Sequence, residues 1–256
     1  MSDTHDNIQE FLASLPQRLV MLEEGIDLKT LKEYLEYSHS FERGKLSEEE
    51  TLHLASILSD EGIKDDDKKK VLTMLAHLGS ITAFKEIAKY YESAGEPLKN
   101  WATIALQECR MFLENELSDE EVGFVSTALG GSGNKMRMYF MVLPLDGALF
   151  SETQQNIIKE EFMLIAKEHD THVEAVDLHN HYVGFKILLP LDVALATVVE
   201  SGISKCNELG EFVLQHYYAT NQNIPNPDEV ETIIKVVRGE IPPPPEPWDA
   251  EPPSKN

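Results

Sequence analysis

The side chains best suited to chemistry in this sequence are five histidines: His169, His172, His179 and His181 within one short stretch, and His216 further on. A neutral imidazole is a good ligand for zinc, nickel or copper. His179 and His181 stand two apart, a spacing that places both on one face of a β-strand. A metal centre also needs a third ligand and a shell of partners that orient the rings, and no other residue is forced to join this pair. His179 and His181 are therefore weak metal candidates. The expectation is no metal and no cofactor, with the pair read as polar residues flanking a turn.

No catalytic residue is assigned. The chain has no G-x-S-x-G, P-loop, G-x-G-x-x-G, H-E-x-x-H or C-x-x-C motif. Its one Gly-rich stretch, Gly130-Gly131-Ser132-Gly133, lacks the Lys-Ser/Thr that would hold phosphates. Cys109 and Cys206 fall in separate predicted helices and read as small buried hydrophobes in a reducing compartment.

A second group of residues emerges from strand alternation in the second half. Met138, Phe140, Val142, Val183, Phe185, Ile187, Phe212 and Leu214 make the greasier face of a predicted sheet. The opposite face collects Arg137, Tyr139, Met141, Tyr182, Lys186, Gln215 and Tyr217. Aromatic rings beside basic side chains suit nucleic-acid stacking platforms and equally suit a protein interface. Arg137, Tyr139, Tyr182, Lys186 and Tyr217 are the candidate interaction face. Trp248, alone in a Pro-rich tail, is the candidate anchor of a short peptide motif.

The elements that must hold these residues divide in two. Residues 1–129 read as helix after helix. Asp6 precedes Ile8, Phe11, Leu12 and Leu15, and Asp27 precedes Leu28, Leu31 and Leu35. Ser47 to Glu50 has capping-box spacing, Asp65-Asp66-Asp67 opens another helix, and Gly79 closes it. Ser80 and Pro97 start two more, Ser118 to Glu121 repeats the capping-box spacing, and no strand pattern interrupts. Residues 130–134 read as a Gly-rich linker. In residues 135–240 the period changes: strands at Met136–Leu145, His172–Leu178, Tyr182–Leu189 and Phe212–Ala219, helices after Ser151 and Asp192, and a further helix capped by Asn226 with Pro227 in its first turn. Residues 241–256 form a Pro-rich tail expected to be disordered. The fold class is α+β.

Two resemblances follow. The faint internal match of Lys70–Leu75 with Asn100–Ala105, together with Leu75-Ala-His-Leu-Gly79, Ala83, Ile87 and Pro97-Leu-Lys, resembles short HEAT-like helical repeats, in which small alanines let helix pairs stack on a shared core. The β-α-β-β-α-β order of the second half resembles ferredoxin-like domains, which implies an antiparallel sheet in the order 4-1-3-2 with both helices on one face. That element order, with a histidine pair near the third strand and a helix after the fourth, also looks like tyrosine transposases of the HUH class. That family requires His-hydrophobic-His and a nucleophilic tyrosine on the later helix. Here the middle residue is Asn180 and the helix Asp228–Gly239 has no tyrosine, so the activity does not carry over.

Composition sets the functional expectation. The 256 residues carry 22 basic and 45 acidic side chains, net −23, a field that repels phosphate backbones and anionic lipid. With 42% hydrophobic residues and no long apolar run, the reading is a cytoplasmic chain with a sizeable core, no transmembrane helix and no secretory signal at its polar start. The expected function is a non-enzymatic interaction or scaffold protein that binds a protein partner or itself through the open sheet, with nucleic acid and membrane disfavoured. A small-ligand or nucleic-acid-binding regulatory domain is the alternative, and an enzyme with an unrecognised histidine site the second alternative.

Overall fold

The computed structural model describes residues 18–41, 44–117 and 122–243. The expected helix over 8–15, the capping box at 118–121 and Trp248 lie outside them. The chain forms two compact units divided between Arg137 and Met138.

Among the described residues, five α-helices build the first unit: α1 (Leu28–Ser38), α2 (Glu48–Ser56), α3 (Asp65–Leu78), α4 (Ile81–Ser93) and α5 (Leu98–Leu117). Local chemistry sets their ends. Asp27 accepts the Thr30 amide at the start of α1, and Ser47 and Glu50 close a reciprocal capping box on α2. Gly79 ends α3 at φ 53°, a left-handed conformation that favours glycine, and Ser80 caps α4. Leu72, Leu75, Ile87, Trp101 and Ile104 are among the side chains filling a core fully shut off from solvent. Trp101 lies under it all, its indole N–H donating to the Lys69 carbonyl at 3.0 Å.

This unit is not all helix, as the sequence suggested. β1 (Arg18–Met21) and β2 (Val122–Val125) pair in parallel, Arg18 opposite Val122. Neither segment is long enough to show a strand period, and their pairing spans about a hundred residues of chain. Asn115 locks β2 in place, its side chain bonding both the N–H and the C=O of Val122. The Gly-rich stretch expected as a free linker is built in: β3 (Gly131–Ser132) pairs with the start of β4 (Lys135–Pro144).

In the second unit the sheet runs β7-β4-β6-β5, with β5 (His172–His179), β6 (Tyr182–Pro190) and β7 (Val213–Thr220). This is the ferredoxin-like order that the element pattern implied. Helices α6 (Glu152–Glu168) and α7 (Leu195–Glu208) cover one face. Phe140, Phe162 and Phe185 form its centre, with ring centroids 4.8–5.4 Å apart. The helix α8 (Pro227–Val237) follows β7, its cap Asn226 bonding the amides of Asp228 and Glu229. The protein is α+β, a mixed helical and antiparallel-sheet architecture. Among the described residues, no helix is long and apolar enough to cross a membrane.

Candidate functional site

The face of the sheet away from α6 and α7 is where the chemistry-bearing residues of the second unit gather. Pairing registers assign the faces, because directly opposed residues of an antiparallel pair share one. Phe140 opposes Ala219 and Val142 opposes Tyr217, so Tyr217 points to the helix side. Tyr139 opposes Thr220 and Met141 opposes Tyr218, so Tyr218 takes the place expected for Tyr217. The helix side of β7 is set by Val213, Tyr217 and Ala219 rather than by Phe212 and Leu214, and the two-residue register shift between Val142 and Pro144 leaves that alternation unchanged.

Arg137 also departs from expectation. Its guanidinium donates to the backbone carbonyls of Leu129 at 2.8 Å and Glu23 at 3.2 Å, inside the first unit. Of the five candidate face residues, Tyr139, Tyr182 and Lys186 are on the open face of the second unit.

Strand β5 adds residues that sequence reasoning did not place there. His179 opposes Tyr182, Asp177 opposes Gly184, and Ala175 opposes Lys186 across a bulge that lets Glu174 reach Lys186 at 3.4 Å. The His179 and Tyr182 rings stack with centroids 4.5 Å apart and planes 23° from parallel. His179 is exposed and Tyr182 half-buried. Burial, then the charge of Asp177, raises the Tyr182 hydroxyl above its ordinary value. Burial followed by the charges of Tyr182, Asp177 and Tyr218 raises Tyr139 further. These phenols are therefore neutral hydrogen-bonding groups, not activated nucleophiles.

The hairpin end is firmly seated. The Asn180 carbonyl accepts the Phe150 amide at 2.8 Å, and its side-chain oxygen accepts from buried Gln155 at 2.9 Å. Ser151 and Gln154 cap α6 immediately beside it. At the other edge, Asn207 clamps the start of β7 through the backbone of Phe212 and Val213. His179 ends the strand, while Asn180 and His181 make the turn. The i, i+2 argument for a metal pair therefore fails, because the two histidines do not share one strand. Among the described residues, no group of three His, Cys, Asp or Glu could hold a metal ion.

No protein-family model matches the chain, and no curated protein matches it. It is similar to the solved structure of a REP-associated tyrosine transposase bound to a REP hairpin, 9% identical over 40% of this chain at TM-score 0.31. The match spans 64% of that transposase's length, less than two thirds. It is also similar to a structure described as "a putative transposase from deinococcus radiodurans r1", 10% identical over 41% of this chain and 91% of that one, with TM-score 0.32. At these scores neither neighbour's activity carries over to this chain. The reading of a non-enzymatic scaffold that binds a protein partner or itself, with nucleic acid disfavoured, is corrected on the geometry of the face: Tyr139 is only 1% exposed and Tyr217 lies on the other side, so the aromatic docking patch on which that reading rested is not formed. Net charge sums over a whole chain, whereas binding is decided by the groups at one site.

Proposed function

We propose that the β5–β6 end of the open sheet is a nucleic-acid-binding surface that takes unpaired bases. The observation that carries this is the His179–Tyr182 ring pair, stacked at 4.5 Å on an exposed hairpin end. A preformed stack offers a rigid π-face to a further ring, and every base has one, so such contacts tolerate sequence. An acidic protein suits this mode better than it suits the wrapping of a duplex. Base stacking on one or two rings needs few phosphate neutralisations, whereas duplex affinity is dominated by them. Lys186, four residues along β6 on the same face, is held by Glu174 at 3.4 Å.

Fluorescence anisotropy with short labelled strands tests the reading. Single-stranded and hairpin oligonucleotides are expected to bind more tightly than a duplex of equal length at low salt. Replacing His179 and Tyr182 together by Ala removes about 1–3 kcal/mol of stacking, roughly a five- to 150-fold loss. No binding at low salt, or equal binding by the double variant with circular dichroism unchanged, would remove the proposal.

A further inference from the structure

We infer that the groove where β1 and β2 meet α5, in the first unit, binds an organic phosphate monoester. Two cavities adjoin there, of about 240 and 140 Å³, and both have Val20, Gln107 and Arg110 in their walls. Arg18 lines the smaller. The inference is independent of the sheet face described above.

Both arginines are exposed, and like Lys29, Lys45, Lys64, Lys68, Lys85 and Lys99 they pair with no carboxylate of the described residues; what sets them apart is that both line one cavity. Lys32, Lys69, Lys70 and Lys89 each lie within ion-pair distance of a carboxylate. Arg18 and Arg110 have no such partner among the described residues, in a chain where acidic groups outnumber basic ones two to one. Glu114 and Glu23 line the groove, yet neither side-chain carboxylate pairs with Arg18 or Arg110. Glu24 is already engaged by the hydroxyls of Tyr91 and Thr103. The Arg110 guanidinium rests over the Phe84 ring, its Cζ 5.5 Å from the centroid, a contact made through the guanidinium face rather than its N–H edges.

Two guanidinium groups on one groove match a doubly charged head better than a single carboxylate, through bidentate charge-assisted hydrogen bonds. Gln107 lies in the wall of both cavities and adds an amide donor. Val20, Leu106, Met111 and Phe124 supply apolar wall for the rest of the molecule. A free metabolite and the terminal phosphate of a nucleic acid present the same group.

The test is thermal unfolding of the full chain with phenyl phosphate, inorganic phosphate, phenol, and an oligonucleotide with or without a 5′ phosphate. Phenyl phosphate is expected to raise the midpoint more than inorganic phosphate, with no shift from phenol. Arg110→Gln and Arg18→Gln each weaken it about tenfold, while the His179/Tyr182 double variant leaves it unchanged. A shift by the phosphorylated strand but not its unphosphorylated form assigns the site to a nucleic-acid end, and a shift by phenyl phosphate alone assigns it to a free metabolite. No shift with any phosphate probe, or an undiminished shift in the doubly substituted Arg18/Arg110 protein, overturns the inference.

Discussion

Tyr139 packs its phenol against the bare backbone of Gly184 on the neighbouring strand: a Cβ at position 184 would stand 2.3 Å from Tyr139 Oη and 3.0 Å from its Cζ. Tyr139 is 1% exposed, and the missing side chain at 184 leaves the space that one side of its ring occupies. Gly184→Ala is expected to destabilise the second unit by about 1–3 kcal/mol through overpacking. In a Tyr139→Phe background the loss should shrink, because the closest clash is with the hydroxyl oxygen. Urea unfolding of the four proteins in a double-mutant cycle measures this. Additive effects would show that ring and glycine are not coupled.

The core of the first unit holds a buried carboxylate. Glu108, 4% exposed, accepts from Tyr34 at 2.6 Å and Ser38 at 2.7 Å, with His77 Nε2 at 3.5 Å. Burial pushes its carboxyl up, but the hydrogen bonds from His77, Tyr34 and Ser38 outweigh that and hold it below its ordinary 4.5. An acid held low in the folded state contributes stability that is complete above its unfolded value and is lost as pH falls through its folded value. Stability should therefore fall on the acid side of pH 4.5. Glu108→Gln should flatten that limb while lowering stability at neutral pH by about 1–3 kcal/mol. Chemical denaturation across a pH series decides it, and an acid limb identical in both proteins would count against the network.

Both thiols are shut away. Burial pushes Cys109 and Cys206 up to about 12 each, and neither is in a disulfide. Since the thiolate is the reactive form, a thiol reagent at pH 8 should leave both unmodified in the native protein and react with two thiols per chain in denaturant. Fast labelling of the native protein at either position would contradict the packing around α5 or α7.

What the sequence determined by itself is what depends on near neighbours. Ser47 with Glu50, Ser151 with Gln154 and Asn226 with Glu229 each form the reciprocal cap that their three-residue spacing allows, because both partners sit on one turn of chain. Gly79 ends its helix for an equally local reason. The order of strands and helices in the second unit was legible too, since each strand carries its own period and right-handed crossovers leave few topologies. The tertiary structure decided the rest. The β1–β2 pair needs Arg18 and Val122 to meet, and four-residue segments carry too little pattern to announce that. The side of the sheet taken by Tyr217 turned on its pairing with Val142, and the meeting of His179 with Tyr182 on where the hairpin turns. Arg137 was readable as a surface cation until the chain brought two carbonyls to it. In each case the deciding term is which residues the folded chain brings opposite one another, and that leaves no trace in composition or periodicity.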